Sequence, residues 1–520
     1  MLKNIHYNSK KLNFPPIILG IYIFLVGVGL PIVVWNLYFD ILVIKYWYYC
    51  ACTIIMLIAL LVYSSTQGSK RIKLYFEEST FKRFLEKFTV TDYAVLVYLF
   101  VALISTATSE FLFESFWGNE GRYTGLFLIT LYVTSYFCIS RFCIFKKRYI
   151  DWILVTGMLV CLFGITDYFK MDIFHFKASM IPEQRAIFTS TIGNINTYTA
   201  YVGIILAIET VLFTMSSHKK QVISYYVCMV IGFFAIIMGV SDNAYLSLGV
   251  LFTFLPFVLF KHKGGIFRYL IVLASFFSVI QCINWINSYF RERVLGINSA
   301  FMMITNSGKL LYLVIVLWAM VIIWYFIRRN KIIKEENFGN ALRYIWLIMI
   351  VLAFLVLMYL LYDCNIAGNS ERYGSLRNYL LFNDDWGTNR GYIWRNAMER
   401  FMELSLWKKI VGYGPETFGL LLTMRQTVNN PYNVLFDNAH NEYLQTLTTV
   451  GIAGLTAYLN FIFAYLKRCF SYNKKNPYVI AMAFGVLCYS AQAFVNLNLP
   501  IVTPVFWLLL GMGAAKSVEE

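Results

Sequence analysis

A series of long apolar runs restricts the fold of this chain more than any other feature. About fourteen runs, most of roughly 17–25 residues, are long enough to cross the hydrocarbon core of a bilayer as helices. Hydrophobic residues make up 59% of the 520 residues and charged residues only 14%, whereas a soluble chain carries about 25% charge. A soluble core could not cover this much apolar surface. We therefore predict an all-α polytopic membrane protein, with residues 1–520 forming a single membrane domain.

The predicted spans alternate with loops of unequal charge. The spans comprise residues 14–35, 46–65, 92–109, 123–140, 150–168, 196–215, 222–240, 244–260, 267–283, 310–327, 344–362, 441–466, 478–495 and 501–515. With the N-terminus in the cytosol, about 28 of the 44 Lys and Arg residues fall in cytosolic segments, in agreement with the positive-inside rule. This bias explains most of the formal charge of +16 without nucleic acid as a partner. One cytosolic segment, residues 66–91, has the pattern of an amphipathic interfacial helix.

The longest loop lies on the other side of the membrane, between two spans. It comprises residues 363–440 and is the only sizeable extracytoplasmic element. Apolar residues recur within residues 389–406 at the spacing of a helix, which predicts an amphipathic helix on the membrane surface. Because no cytosolic segment is long enough to form a catalytic domain, any chemistry is expected in the membrane or outside.

The arginines of this amphipathic helix are not equivalent. Arg395 has Glu399 four residues on, and Arg400 has Glu403 three residues on, so both pairs fit local ion pairs on a solvated face. Arg390 lies on the apolar side and has no acidic residue at helical spacing. We therefore expect it to bind an anion, either a lipid phosphate as an anchor or a phosphate ligand in a site.

A histidine stands at the end of the same loop, directly before a long apolar helix. Asp437 or Asn438 is a reasonable N-cap for this helix. Such a cap would place His440 in the first turn, where the positive end of the helix disfavours the imidazolium and keeps the ring able to accept a proton. Asp437 could orient the ring. The alternative is a structural histidine, and His175 is the only other histidine on the outer side.

Two further arginines precede outer helix starts. Arg185 comes before residues 189–196, where a helix N-terminus could join it in binding an anion, or it could pair with Glu183 or a lipid headgroup. Arg122 follows three acidic residues, so a salt bridge is the alternative to a ligand role. Arginines bind diphosphate bidentately, and a neutral histidine can take the proton of an attacking hydroxyl. With no acidic metal-binding motif on this side, we expect transfer from a lipid diphosphate without a metal or other cofactor.

In several of these motifs the chain resembles the O-antigen ligase and polysaccharide polymerase superfamily of bacterial inner-membrane proteins. The resemblance rests on residues 185–196, 389–394, 412–418 and, above all, 437–445 (DNAHNEYLQ) with Gly451 and Gly454. It departs from the family at residues 241–243, where many relatives carry an arginine and this chain has Asp242 and Asn243.

The resemblance implies a fold similar to the lipid-carrier-dependent membrane glycosyltransferases of the GT-C type. It implies a glycan donor linked to undecaprenyl diphosphate, an acceptor hydroxyl on a glycan, lipid or protein, and metal-independent transfer with inversion. The active site would lie on the extracytoplasmic side of the bacterial cytoplasmic membrane. Membrane lipids would surround the protein. The family's histidine would be His440 and its diphosphate-binding arginines Arg185 and Arg390, with Arg122 as a further ligand. The expected supporting residues are Asp437, Asn194, Asn196 and Glu442.

Two alternatives stay open on the sequence. Polymerase and ligase share the donor chemistry and differ in the acceptor, and we favour a polymerase because nothing here points to a lipid A core. A transporter or flippase for lipid-linked glycans is the rival of a different class. It predicts inverted repeats and buried charges at bilayer depth, of which Glu209 is the main candidate.

Overall fold

The computed structural model is almost entirely helical over the residues that it describes. It describes residues 14–66, 88–119, 121–297, 300–329, 339–428, 430–472 and 476–515. The interfacial helix predicted for residues 66–91 lies mostly outside these ranges. One two-stranded antiparallel pair, β1 (Phe188–Thr189) with β2 (Gly193–Asn194), interrupts the helices.

The helices follow one another along the chain with short connections. They are α1 (Phe14–Phe24), α2 (Leu30–Ile32), α3 (Ile41–Thr66), α4 (Val90–Ala107), α5 (Leu112–Trp117), α6 (Leu126–Phe142), α7 (Lys147–Tyr168), α8 (Pro182–Arg185), α9 (Ile195–Met215), α10 (Lys219–Met238), α11 (Ala244–Leu259), α12 (Lys263–Tyr289), α13 (Ala300–Thr305), α14 (Leu310–Arg329), α15 (Gly339–Asn365), α16 (Arg377–Leu380), α17 (Trp386–Glu403), α18 (Leu406–Val411), α19 (Phe418–Val428), α20 (Glu442–Tyr472), α21 (Pro477–Gln492) and α22 (Thr503–Gly513). A π-helical turn (Leu25–Gly29) joins α1 to α2, and 3₁₀ turns lie at Ser370–Leu376 and Ala493–Val495.

The apolar runs of the sequence all appear as helices in the described residues. Eleven helices are long and apolar enough to cross a membrane, and three shorter apolar helices, α6, α11 and α22, occupy the remaining predicted runs. The all-α polytopic fold is therefore confirmed, and in the described residues eleven of the fourteen predicted runs have full length while three are shorter helices.

The centre and the edge of the bundle differ in exposure. α9 is buried along nearly its whole length, among α7, α10, α11 and α21. α15 is the opposite case, because nearly all its side chains lie on the outside of the protein. Apolar side chains in that position are stable only against lipid, so α15 lies at the edge of the bundle.

A glycine break in α20 organises the outer end of the bundle. Gly451 has φ +78°, and a β-carbon there would lie 2.2 Å from the carbonyl oxygen of Ile410. The break frees two carbonyl groups of the preceding turn: Thr448 accepts from the amide of Tyr413 at 3.3 Å, and Thr449 accepts from the amide of Gly414 at 2.9 Å. The turn after α18 is thereby fixed against the first part of α20.

The loop between α15 and α20 contains its own small apolar core. The predicted helix at residues 389–406 is present, but its regular part ends at Glu403 and a separate helix begins at Leu406 with Ser405 as its cap. Its apolar face packs within the loop rather than only on a membrane surface. The buried members of this core are Tyr392, Ile393, Ala397, Phe418, Leu422, Ala439 and Leu444.

Candidate active site

His440 lies in a turn before α20 and not in the first turn of this helix. Asn441 is the cap, because its side-chain oxygen accepts from the amides of Tyr443 and Leu444, both at 3.0 Å. The predicted cap at Asp437 or Asn438 is therefore wrong. Asn438 instead accepts from the amide of His440 at 2.9 Å, which holds His440 at φ +47°. The histidine is presented by a strained, hydrogen-bonded turn.

Arg122 joins the first outer loop to this turn. Its Nη2 donates to Oδ1 of Asp437 at 3.1 Å, with the Arg122 side chain about one quarter exposed. Its Nε is buried and has no hydrogen-bond acceptor among the described residues. The salt bridge that the sequence offers as the alternative for Arg122 is therefore present, with Asp437 as the partner, while the Nε edge of the guanidinium has no acceptor among the described residues.

Arg390 has no carboxylate partner in the described part of the chain. It lies at the start of the regular part of α17, where its Nη1 donates to the carbonyl oxygen of Gly387 at 3.0 Å and its Nε is buried without a partner. Burial lowers the pKa of this guanidinium. The two other arginines of α17 are paired, Arg395 with Glu399 and Asp384, and Arg400 with Glu403. Arg390 is thus the unneutralised cation of the helix, as the spacing indicates.

Trp394 fixes α17 against the His440 turn. Its indole Nε1 donates to the carbonyl oxygen of Ala439 at 2.8 Å, directly before His440. Its ring also packs on Phe494, with ring centroids 5.5 Å apart. Because Arg390 lies about one helical turn from Trp394, this contact brings the free arginine to the same turn.

The imidazole of His440 is affected by burial and by three charged side chains. Its pKa is lowered to about 4, mainly by burial and further by the nearby Arg390 and Arg122, whereas Asp437 opposes them. His440 is therefore neutral near pH 7 and can accept a proton. The sequence predicts a neutral imidazole because of the positive end of a helix. In the structure, burial and the two arginines favour the neutral imidazole instead.

Glu416 is a buried residue of this region that we did not single out from the sequence. Its carboxyl is 5% exposed, and it accepts a hydrogen bond from Thr124 while its second oxygen has no partner among the described residues. Burial raises its pKa to about 7, against the opposing effects of Thr124 and Arg122; Asp437 raises it too. The only signal in the sequence is its place in the tight turn of residues 412–418.

Glu416 lines a small polar cavity that reaches the His440 turn through Asn438. The volume is about 40 Å³, room for a few water molecules and too small for a sugar. Glu442 also lines it and is held by the hydroxyls of Tyr458 at 2.5 Å and Tyr489 at 3.1 Å. These bonds indicate that Glu442 supports the start of α20. Four residues of this lining have a buried polar atom without a hydrogen-bond partner among the described residues: Tyr132, Glu416, Gln445 and Asn498.

Arg185 lies apart from this group. Its Nε donates to the carbonyl oxygen of Met180 at 3.0 Å, and it lines a second cavity of about 280 Å³ that also contains an ion pair between Lys177 and Asp167. In the residues that the structure describes, no contact joins Arg185 to His440 or to Arg390. The alternative pairing of Arg185 with Glu183 is also absent there, since its hydrogen bonds go to backbone carbonyls.

The two predicted asparagines have structural bonds. Asn194 caps α9 by accepting from the amide of Asn196 at 2.8 Å. Asn196 accepts from the hydroxyl of Ser241 at 2.7 Å, so it connects α9 to the turn before α11. In that turn, where relatives carry an arginine, Asp242 accepts from the hydroxyl of Tyr379 at 2.9 Å.

The arrangement offers a neutral proton acceptor on which two guanidinium groups act. Such a site can bind an anion and deprotonate a nearby hydroxyl. No group of three or more His, Cys, Asp and Glu side chains suited to a metal ion occurs among the described residues.

The family comparison bears on this part of the chain. Residues 294–459 match a family model described as O-antigen ligase, and no curated protein matches the chain. The match covers Arg390, Glu416, Asp437 and His440, whereas Arg122 lies outside it. This segment is therefore similar to the O-antigen ligase family, and the many apolar helices indicate a multi-pass membrane protein.

Proposed function

We propose that this protein transfers a glycan from an undecaprenyl-diphosphate-linked donor to a hydroxyl group on the outer face of the bacterial cytoplasmic membrane. The observation that carries the proposal is a neutral His440 in a turn that is held by Trp394 of α17 and adjoins the ion pair between Arg122 and Asp437, so that Arg390 and Arg122 both act on the imidazole. The match to the O-antigen ligase model supports the class of reaction. The excess of basic residues in the opposite loops supports the outer location of this site.

In the proposed reaction, the acceptor hydroxyl attacks the anomeric carbon of the donor while His440 takes the hydroxyl proton. A new glycosidic bond forms as the bond from the anomeric carbon to the diphosphate oxygen breaks, with inversion at that carbon. The electron pair leaves with the diphosphate. Arg390 and the free edge of Arg122 stabilise this negative charge, which is greatest as the leaving group departs.

The remaining predicted residues have different roles in this proposal. Asp437 orients Arg122 through the 3.1 Å ion pair. Glu442, Asn194 and Asn196 hold the helix ends around the site. We also propose Arg185 as a diphosphate ligand, because the cavity that it lines lies beside the polar segment that leads into α9. The similarity to the GT-C type of fold is likewise a proposal that rests on the helical bundle.

We favour a polymerase, in which the acceptor is a second lipid-linked glycan. The test is to incubate the purified protein with a synthetic undecaprenyl-diphosphate glycan as the only glycan present. Chain growth with release of undecaprenyl diphosphate is the expected result. Release only after addition of a different acceptor would assign a ligase. Movement of the intact donor across a vesicle bilayer, with no new glycosidic bond, would assign a transporter and overturn the proposal.

A further inference from the structure

A third and larger cavity lies at the opposite end of the bundle from His440. It has a volume of about 690 Å³. Met215 at the end of α9 and Phe470 near the end of α20 line it, whereas the other ends of these helices lie beside Asn194 and His440. Because α20 has 31 residues and a helix rises about 1.5 Å per residue, the two regions lie on opposite sides of the membrane. The charge bias of the loops makes this the cytosolic side.

The walls of this cavity are apolar over most of their surface. Phe254 and Phe257 of α11 contribute aromatic rings, and Phe470 of α20 faces them across the space. A cavity of this size with apolar walls is unfavourable for water but can accommodate an acyl chain.

Basic residues stand at the polar part of the same cavity. Lys261, His262 and Arg343 line it, and none of the described residues in the lining is acidic. Arg343 donates to the carbonyl oxygen of Phe257, and its Nε is buried with no acceptor in the described part of the chain. The guanidinium of Arg343, with a second basic side chain beside it and hydrocarbon walls around it, forms a combination that complements an anionic amphiphile.

The cavity is bounded by the helix that packs least against the rest of the bundle. α15 leans on α11 near its first turns, where the indole of Trp346 donates to the carbonyl oxygen of Thr253 at 2.9 Å. Beyond this contact, nearly all side chains of α15 are exposed. A cavity between α11 and such a helix is open to molecules of the surrounding bilayer.

We propose that this cavity binds an anionic phospholipid of the cytosolic leaflet. The phosphate lies against Arg343 and Lys261, and an acyl chain lies against the phenylalanines of α11 and α20. The bound lipid thereby fills the gap between α15 and the bundle. This inference is independent of the glycan-transfer reaction, because none of its residues lies near His440.

The experiment uses the full-length protein in vesicles that contain equal amounts of phosphatidylglycerol and phosphatidylethanolamine. After gentle extraction, native mass spectrometry measures which lipid stays bound. We expect phosphatidylglycerol to be retained several-fold over phosphatidylethanolamine, since each basic residue near the headgroup changes binding by about fivefold. Retention of the two lipids in the ratio of the vesicle would overturn the proposal, and this comparison needs no variant.

Two double variants locate the bound lipid. K261Q/R343Q should lose the preference for phosphatidylglycerol, whereas K219Q/K220Q removes two exposed charges from the same end of the bundle and should keep it. An unchanged preference in K261Q/R343Q shows that the lipid binds elsewhere. Glycerol phosphate, which has no acyl chains, should not displace the lipid; displacement would assign a site for free phosphate instead.

Discussion

Arg122 and Asp437 are 315 residues apart in the sequence, and their side chains meet at 3.1 Å beside His440. The pair connects the loop before α6 to the turn before α20. Both side chains act on the imidazole with opposite sign, because Arg122 lowers the pKa of His440 and Asp437 raises it. Besides burial and Arg390, the protonation of His440 therefore depends on two parts of the chain that only the fold brings together.

Because the two side chains act in opposite directions, removing the charge of one or the other should shift the pKa of His440 in opposite directions. R122Q should raise the pKa of His440, and D437N should lower it further below its usual range. Because the neutral imidazole is the active form, the acidic limb of kcat/KM against pH should move to higher pH in R122Q and to lower pH in D437N. The wild-type limb is expected near pH 4. Limbs that move in the same direction would refute the assignment of this limb to His440.

Removal of the imidazole should abolish transfer without loss of the fold. H440A is expected to reduce kcat by roughly 10²–10⁴-fold, the usual contribution of a general base. Binding of the donor, measured with a fluorescent lipid-diphosphate glycan, should persist because the arginines remain. H175A is the matched control, since His175 is an exposed residue of another loop. Normal product from H440A would exclude the histidine as the base.

The arginines of α17 should differ in their effect on the donor. R390A should weaken donor binding by roughly 10–100-fold, because it removes a charged hydrogen-bond donor that has no carboxylate partner in the described structure. R395A should change binding by less than about fivefold, since Arg395 is half exposed and already paired with Asp384 and Glu399. Equal losses in the two variants would contradict the distinction between the two faces of the helix.

Glu416 should make the stability of the protein depend on pH. Its pKa of about 7 in the folded protein exceeds the ordinary value of 4.5, so between these values the folded chain holds a proton that the unfolded chain has released. Stability from this group is therefore full below pH 4.5 and declines as the pH rises through 7. E416Q should be more stable than wild type at pH 8, by a few degrees in Tm, and similar at pH 4. A stability difference independent of pH would show that the carboxyl does not titrate in this window.

The break in α20 should depend on a residue without a β-carbon. G451A is expected to destabilise the protein by about 1–3 kcal/mol, because φ +78° is unfavourable for alanine and the added carbon would meet the carbonyl oxygen of Ile410. G249A is the control, since Gly249 lies within α11 with open space around it and alanine favours a helix there. Thermal unfolding in detergent measures both. Similar Tm values for the two variants would mean that α20 tolerates a regular turn at this point.

Local spacing accounts for the part of the site that the sequence predicts. The ion pairs of Arg395 and Arg400 and the lack of a partner for Arg390 follow from distances of three or four residues in one helix. The sequence favours Asp437 or Asn438 as the cap of α20, whereas Asn441 occupies that position in the structure, because all three residue types suit it. The choice among them depends on which side chain reaches the free amides of the helix.

Length and polarity by themselves determined the class of this protein. Apolar runs that exceed the thickness of a bilayer must form helices there, because lipid offers no partner for backbone amides. Only the tertiary structure decided the neighbours of the functional groups: Arg122 lies beside His440, Arg185 lies in another cavity, and Glu416 is buried beneath the turn. Such neighbours are set by packing between distant segments, and the charge that each group carries follows from the burial and the fields that this packing creates.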